Sequence, residues 1–286
     1  MISFVILHYQ AVEETRQCIE TIFKYIKEEC RVIVVDNCSP NGTGKELKEE
    51  YSMRKEVSVL LLDKNLGFAK GNNIGYKEAK KDNPDFIIVM NNDVFLQQKN
   101  LIELIEKAYQ IYGFDVLGPD IYSTQKRIHQ NPQREKNYSL RELKKQKRWL
   151  LIKNRLFFFL KIKYMFKRNI SEKTVRGRYM DTAMEDVVLH GACYVFSRSF
   201  TEKHNNCFYD NTFMYYESYI LHFLGMREKI RFLYYPEIKV IHHEDVSTNL
   251  TYKSMYSKAK FVNQCLLESC REFIKIMCDE RVRLDS

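Results

Sequence analysis

The sequence predicts an α/β fold with a mostly parallel central sheet. The first 120 residues alternate short apolar runs of strand length with segments of helical spacing. A βαβα series of this kind forms a parallel sheet with right-handed crossovers. The run Phe86–Met90 is apolar throughout, as expected for a strand that is buried on both faces.

The elements are predicted in order along the chain. Strands are expected at 2–7, 32–35, 57–62 and 85–90, separated by helices near 11–27, 43–53 and 68–80. Further strands are expected at 187–189, 193–196, 231–234 and 238–242, with a helix near 215–226 and helical spacing in the last thirty residues. Apolar residues recur at helical intervals in the helices and form continuous runs in the strands. The length of 286 residues permits one large domain, or one domain plus a smaller appendage.

Composition excludes several classes of protein. Hydrophobic residues make up 45% of the chain, which is enough for a core and excludes global disorder. No run of 18 apolar uncharged residues is present, so no transmembrane helix is predicted. The eight cysteines include no C-x-x-C pair, and we interpret them as reduced, mostly buried thiols of a cytoplasmic protein.

The formal charge of +9 comes from one segment. Residues 134–178 contain 16 Lys and Arg against 3 Asp and Glu, whereas the rest of the chain is slightly acidic. Basic and bulky apolar residues interleave there, and Trp149 is the only tryptophan of the chain. A nucleic-acid surface uses the same residue types, but no other part of the sequence supports one, and we expect no nucleic-acid partner.

Two other interpretations of this segment stay open: a solvated helical insertion that packs on its own domain, or an element that docks on an anionic membrane surface. We favour the membrane surface, because Lys and Arg attract anionic lipid while apolar side chains enter the interface. The chain would then be peripheral on the inner face of the membrane. The apolar residues expected to enter it are Trp149, Leu150, Leu151, Phe157, Phe158, Phe159 and Leu160.

Polar residues follow four of the predicted strands. They are His8 and Tyr9, Asp36, Asn65, and the run Asn91–Asp93. In an open α/β sheet, ligands bind beyond the carboxyl ends of the strands. A carboxylate at Asp93 suits a divalent ion that bridges two phosphates, because Mg²⁺ and Mn²⁺ prefer oxygen ligands and keep substrate phosphates and water in their shell. A simple turn at the end of a strand would account for the same residue types.

Three further motifs are candidates for a site. Glycines recur every fourth residue in Gly67–Gly75; they fit neither the dinucleotide fingerprint nor the P-loop, and they let backbone approach either a ligand or the sheet. His242 ends a strand and is a candidate metal or phosphate ligand, and only one of His242 and His243 can face a site because strand side chains alternate. Glu217 begins a helix among aromatic residues, where burial would raise its pKa as a general base requires. A Glu that stabilises the helix dipole is the structural alternative.

Six stretches, taken in chain order, carry a family resemblance. They are Val34–Ser39, Asn65–Gly75, Asn91–Asp93, Gly191–Cys193, Phe213–Glu217, and His242 followed by Ser247. Together they resemble the family-two glycosyltransferases, the inverting group with the GT-A fold, and in particular bacterial rhamnosyltransferases and polysaccharide-assembly enzymes. The resemblance covers roughly residues 1–125 and 185–250.

The resemblance implies an architecture and a set of roles. The GT-A fold has a Rossmann-like, mostly parallel sheet flanked by helices, here with a basic helical insertion and a C-terminal helix. The parts would be a nucleotide-sugar-binding half at 1–125, a basic aromatic insertion at 126–180, an acceptor and catalytic half at 181–250, and a helical tail at 251–286. The implied nucleotide contacts are His8, Tyr9, Asp36, Asn65, Gly71, Asn72, Asn91 and Asn92. The implied donor and acceptor pocket is Gly191, Ala192, Cys193 and Tyr216, the Mn²⁺ or Mg²⁺ ligands are Asp93 and His242, and the catalytic base is Glu217.

The sequence departs from the family pattern beside Glu217. Ser218 replaces the Asp of the family's Glu-Asp pair, and Ile220 replaces a further common Asp. If the family's base is the second member of the pair, another acid must serve here, and we expect Glu217. The other candidate bases are Asp181, Glu185 and Asp186.

The resemblance therefore implies a metal-dependent inverting glycosyltransferase of the EC 2.4 class. It would move a sugar from a UDP- or dTDP-sugar to a saccharide acceptor, lipid-linked, in bacterial surface polysaccharide or glycoconjugate synthesis. A nucleotide-sugar-binding protein without transferase activity stays open because of Ser218. A nucleotidylyltransferase would carry a Gly-rich basic loop after its first strand, and His8–Ala11 offers none.

Overall fold

The structure, a computed structural model, describes residues 1–166, 179–244 and 254–286. The motif residue Ser247 and the end of the basic segment, 167–178, lie outside the described residues. The strands are β1 (Ile2–His8), β2 (Cys30–Asp36), β3 (Val57–Leu61), β4 (Phe86–Asn91), β5 (Val94–Leu96), β6 (Val116–Ser123), β7 (Ile128–His129), β8 (Met184–Glu185), β9 (Cys193–Ser197) and β10 (Phe232–His242). The helices are α1 (Val12–Tyr25), α2 (Thr43–Glu50), α3 (Gly67–Lys80), α4 (Leu101–Tyr112), α5 (Leu140–Phe166), α6 (Arg198–Lys203), α7 (Glu217–Arg227) and α8 (Met255–Cys278).

One sheet runs through the described part of the chain in the strand order β3-β2-β1-β4-β9-β6-β10-β5, with β7 beside β6 and β8 beside β10. Strands β1 to β4 are parallel to one another in the order β3-β2-β1-β4, as their helical crossovers require. Strand β9 runs antiparallel between β4 and β6, and β5 runs antiparallel on β10. The predicted α/β sheet flanked by helices is confirmed.

The core lies on both faces of the sheet because successive side chains of a strand point to opposite sides. Phe4 and Ile6 of β1 pack with Ile19 of α1 on one face, and Val5 packs with Tyr76 of α3 on the other. All five side chains are fully buried. The eight cysteines have free thiols, and six of them are buried.

Two predicted strand assignments are wrong. Residues 187–189 form no strand, because their one ladder contact is an isolated bridge between Val188 and Arg134; the short strand β8 precedes them. The predicted strands 231–234 and 238–242 are one strand, β10, because its pairing with β6 resumes after an irregularity between Tyr235 and Lys239. The extra residues, which include a proline, bulge out of the ladder without ending the strand.

The basic insertion forms helix α5, which packs against α8. Leu143, Leu150 and Phe157 recur every seventh residue and are buried, and the Asn263 side-chain amide of α8 donates to the Leu150 carbonyl at 3.3 Å. The prediction that Leu150 and Phe157 enter a membrane is therefore wrong, since α8 already covers them. Within the described residues, no helix has the length and apolar character needed to cross a bilayer.

Candidate active site

A cleft of about 600 Å³ opens at the carboxyl ends of the central strands, a size typical of small-molecule sites. It lies where the topology of an open α/β sheet predicts a ligand. Ten of the residues singled out in the sequence line it: Tyr9, Asn65, Asn91, Asn92, Asp93, Gly191, Ala192, Tyr216, Glu217 and His242. The strand ends and the two C-terminal motifs are thus brought together.

The structure places His8 and Asp36 behind the cleft wall instead of in it. The two ring nitrogens of His8 lie 2.7 Å and 2.9 Å from the hydroxyls of Thr15 and Thr43, and burial lowers the pKa of His8 to about 4. The Asp36 carboxylate accepts from the Ser39 amide at 3.1 Å, and burial raises its pKa. Both polar groups already have protein partners.

Gly71, Asn72 and Cys193 also do not line the cleft. A Cβ on Gly71 would come within 2.5 Å of the Leu7 side chain, so this glycine lets α3 pack closely on β1. The Asn72 side-chain amide donates to the Phe68 carbonyl within α3 at 3.0 Å. Cys193 is buried in β9 opposite Met90. These three residues support the wall, and direct contact with a nucleotide sugar stays a prediction for them.

A tight turn at Gly67 joins the two halves of the cleft. Its φ is +82°, and a Cβ there would lie 2.2 Å from the carbonyl oxygen of Phe213, so only glycine fits. The next residue, Phe68, donates its amide to the same carbonyl at 2.7 Å. On the other side of the turn, Asn37 accepts from the Leu66 amide at 2.8 Å. The glycine motif therefore positions residues 213–217 against the start of α3.

Two consecutive left-handed residues set the start of helix α7. Tyr215 and Tyr216 have φ values of 74° and 69°, a conformation that is costly for non-glycine residues and is found where a site is preorganised. The Ser269 hydroxyl of α8 donates to the Met214 carbonyl at 2.8 Å and holds the turn from behind. This turn directs Glu217, the first residue of α7, to the cleft.

Glu217 has the properties of a general base. It is 8% exposed, and burial raises its pKa to about 7, although hydrogen bonds, including one from the Thr212 hydroxyl at 3.3 Å, partly oppose this. A carboxyl group with a pKa near neutrality holds and releases a proton readily at physiological pH. The other candidate bases are exposed and do not line the cleft: Asp181, Glu185 and Asp186.

Asp93 and His242 lie next to each other in the wall of the cleft. Antiparallel pairing of β5 with β10 sets Val94 opposite His242, and the His243 amide donates to the Asp93 carbonyl at 2.9 Å. The Asp93 Oδ1 atom lies 3.2 Å from His242 Nε2. His243 turns away and packs on the Phe95 ring at 4.6 Å, so only one of the two histidines faces the site, as alternation predicts.

These two side chains fit a divalent cation that is shared with a substrate. Asp93 is 7% exposed, and among the described residues its Oδ1 has no hydrogen-bond partner. No group of three metal-ligating side chains occurs in the described ranges. A carboxylate and an imidazole are thus two ligands of an incomplete shell, which suits an ion whose other ligands are diphosphate oxygens and water.

The residues of the cleft wall that the sequence did not single out include Lys126, Gln130, His190 and Glu244. His190 precedes the Gly191 motif, its ring centroid lies 5.8 Å from that of His242, and burial lowers its pKa to about 3. Glu244 stands two residues after His242, so strand alternation gave a signal for it. No comparable signal marks Lys126 and Gln130, which reach the cleft from the turns around β7.

Solved structures with a similar fold include the S. aureus protein TarS. TarS residues 1–349 in complex with UDP-GlcNAc match with a TM-score of 0.53 and 12% identity, over 85% of this chain and 58% of that chain. The same fragment in complex with UDP matches with a TM-score of 0.52 and 14% identity, over 99% and 75%. This chain thus spans little more than half of the first structure. At these identities the likeness concerns the fold, and it agrees with the expected GT-A architecture.

Sequence comparison identifies the family. A search of curated proteins gives no match. The profile of Glycosyl transferase family 2 matches residues 3–175, which is more than half of the 286 residues. The matched region contains β1 to α5 and therefore the turn at Gly67 and the metal-ligand candidate Asp93. The chain belongs to glycosyl transferase family 2.

Proposed function

We propose that this chain is a metal-dependent inverting glycosyltransferase that transfers a sugar from a UDP- or dTDP-sugar to a saccharide acceptor. The observation that carries the proposal is one cleft with a two-ligand cation site, Asp93 and His242, and a buried carboxyl group of raised pKa, Glu217. Family membership supports the reaction class. The complexes of TarS with UDP-GlcNAc and UDP support a uridine nucleotide as donor.

The proposed residues act on the leaving diphosphate and on the acceptor hydroxyl. Asp93 and His242 would hold Mn²⁺ or Mg²⁺, which when bound neutralises charge on the leaving diphosphate. Glu217 accepts the proton of the acceptor hydroxyl while its oxygen bonds to the anomeric carbon. The bond from that carbon to the diphosphate oxygen breaks in the same displacement, which inverts the configuration and releases the nucleoside diphosphate. Gly191 and Ala192 leave room for the sugar beside Glu217.

A nucleotide-sugar-binding protein without transferase activity is the second candidate. Ser218 is the observation that favours it, because a hydroxyl at this family position cannot replace a carboxylate as base. Its Oγ lies only 3.0 Å from where a Cβ on Gly191 would be, so the position belongs to the same wall of the cleft. The two candidates differ in turnover and not in binding.

A donor screen tests the proposal. We expect UDP- or dTDP-sugars with Mn²⁺ to raise the unfolding temperature, because a ligand at about 100 times its Kd stabilises the native state by roughly 2.7 kcal/mol. The same donor should release its nucleoside diphosphate when saccharide acceptors are added. ATP with Mn²⁺ is the control. Stabilisation without release would favour the binding protein, and no stabilisation by any nucleotide sugar would contradict both candidates.

We also propose that the acceptor is lipid-linked and that α5 docks the enzyme on an anionic membrane. Trp149, Ile152 and Leu156 are 56%, 56% and 45% exposed. At 100° per residue they share one stripe on the side of α5 away from the buried Leu150. Exposed basic residues flank this stripe: Arg141, Lys144, Lys145, Arg148 and Arg155. An apolar stripe beside a row of cations suits the interface of an anionic bilayer.

Vesicle binding tests the docking surface. Replacing Trp149, Ile152 and Leu156 by Ser should weaken binding to phosphatidylglycerol vesicles at least about tenfold, because each buried apolar side chain contributes on the order of 1.5 kcal/mol or more. Wild-type binding should fall with salt. Ser at three exposed apolar residues elsewhere serves as the matched control: Met53, Ile111 and Met226. Equal wild-type binding to phosphatidylcholine and phosphatidylglycerol would contradict the electrostatic component.

A further inference from the structure

We propose that Lys126, Glu244 and Gln130 form a hydrogen-bonded chain that orients the His242 ring, with its Nδ1 toward Gln130 and its Nε2 toward Asp93. They would be positioning residues for the divalent cation, so the inference rests on the metal dependence proposed above. None of the three was expected from the sequence, and all three line the cleft.

The direction of the hydrogen bonds follows from the Gln130 amide. Its Nε2 donates to Glu244 Oε1, and its Oε1 lies 2.8 Å from His242 Nδ1. A carboxylate accepts and cannot donate, so the amide nitrogen must face Glu244 and the amide oxygen must face His242. An amide oxygen can only accept, and Nδ1 of His242 therefore carries a proton.

The other ring nitrogen then faces Asp93. A histidine that binds a cation through Nε2 carries its proton on Nδ1. This Nε2 is 3.2 Å from Asp93 Oδ1, an oxygen with no hydrogen-bond partner in the described ranges. Two ligand atoms that bind one cation at roughly 2.1 Å are about 3 Å apart when their angle is near 90°. The spacing is therefore that of two ligands of one ion.

The hydrogen-bonded chain is anchored at the end away from His242 by the ion pair of Lys126 with Glu244 and by the sheet. Lys126 Nζ lies 2.8 Å from Glu244 Oε2 and compensates a carboxylate that is 4% exposed. Two backbone amides hold the turn that carries Lys126 and Gln130. The Gln130 backbone amide donates to the Ile121 carbonyl at 2.8 Å, and the Lys126 backbone amide donates to the Ser123 hydroxyl at 3.1 Å. Strand β6 precedes this turn and pairs with β10, so neighbouring strands hold both ends of the hydrogen-bonded chain.

The first measurement reads the tautomer directly in metal-free protein. Nitrogen-15 NMR of labelled histidines should show a proton on Nδ1 of His242 in the wild type. Gln130→Leu should lose this preference, and thermal unfolding verifies that the variant is folded. A proton on Nε2 alone, with none on Nδ1, would overturn the inference whether or not the protein transfers sugar.

The second measurement is the affinity for Mn²⁺ in the presence of UDP, which is determined from the EPR signal of free Mn²⁺. Gln130→Leu should weaken Mn²⁺ binding by about 10–100-fold, the usual effect of losing a partner of a metal-ligating histidine. The double variant Gln130→Glu/Glu244→Gln keeps a hydrogen-bonded chain to His242, because the carboxylate introduced at position 130 would accept both from His242 and from the amide introduced at position 244. It should bind Mn²⁺ within about threefold of the wild type.

The double variant also separates this proposal from its alternatives. If Glu244 were itself a metal ligand, the exchanged pair would lose Mn²⁺ as severely as Gln130→Leu, and that result would overturn the positioning role. An affinity of Gln130→Leu within about twofold of the wild type would overturn it as well. If the wild type binds no Mn²⁺, the proposed metal dependence fails, and the tautomer measurement alone then decides whether the chain orients His242.

Discussion

Replacing Glu217 by Gln is expected to lower kcat/KM for sugar transfer by about 10²–10⁴-fold, the usual contribution of a general base. The amide keeps the size of the side chain and the hydrogen bond with Thr212, so the variant should still be stabilised by the donor. Initial rates of nucleoside diphosphate release, together with donor-induced thermal shifts, measure the two effects. Full activity of Glu217→Gln would remove Glu217 from the mechanism.

The same residue should set the pH dependence of activity and stability. Because its pKa is raised to about 7, kcat/KM should rise with pH through this value as the carboxylate forms. Folding favours the protonated form of Glu217. Its contribution to the free energy of unfolding is therefore complete below the pKa that Glu217 has in the unfolded chain, and it is lost as pH rises toward 7 and above. Glu217→Gln should therefore be more stable than the wild type at pH 8, by up to about 3 kcal/mol. The difference should shrink toward pH 5.

Asp186→Asn is the matched control for the base. Asp186 is the other acid close to the Gly191 motif, but it is exposed and does not line the cleft. We expect its activity to stay within about threefold of the wild type. A loss as large as that of Glu217→Gln would move the base to Asp186.

Replacing Asp93 by Asn should abolish Mn²⁺-dependent turnover, with a loss of at least about 10²-fold, because the charge that holds the cation is gone. The metal-free variant should be as stable as the wild type or more stable. The new side-chain amide can form a hydrogen bond with His242 Nε2, whereas Asp93 Oδ1 has no hydrogen-bond partner in the described part of the chain. Rates across a Mn²⁺ titration and unfolding temperatures without metal give both results.

Asp120→Asn is the control for Asp93. Asp120 is also a buried carboxylate beside a histidine, with His129 Nδ1 at 2.8 Å, but it lies away from the cleft. The control should retain its Mn²⁺ dependence. If Asp93→Asn kept the wild-type response to Mn²⁺, the cation would have to bind elsewhere.

The parallel half of the fold could be predicted from the sequence because each strand is a continuous apolar run and each crossover has helical spacing. The two wrong strand assignments lie where pairing with another strand, and not local composition, decides whether a segment forms a strand. Residues 187–189 have a strand-like composition but only a single bridge, at Val188. Pro236 suggests the end of a strand, yet β10 continues because its ladder with β6 resumes at Lys239. Such partners are far away in the chain and leave no local signal.

Much of the site could also be predicted, because strand ends meet at one edge of a sheet. The sequence does not show which polar side chain at a strand end faces the cleft and which turns inward. His8 turns inward to two threonine hydroxyls, whereas Tyr9 lines the cleft. Lys126 and Gln130 were missed because their roles depend on the turns around β7, whose placement follows from register. The raised pKa of Glu217 likewise depends on burial that the folded chain creates.

The pairing of α5 with α8 has a consequence for the order of folding. The hydrogen bond from Asn263 to Leu150 closes a loop of 113 residues, and the contact from Ser269 to Met214 depends on the placement of the same helix. Long loops close late because their entropy cost precedes the gain from contacts. The parallel strands with their local crossovers should therefore form first. The turn that presents Glu217 would acquire its final support only when α8 docks, so a chain emerging from the ribosome would complete its parallel strands before the wall of the cleft that carries Glu217.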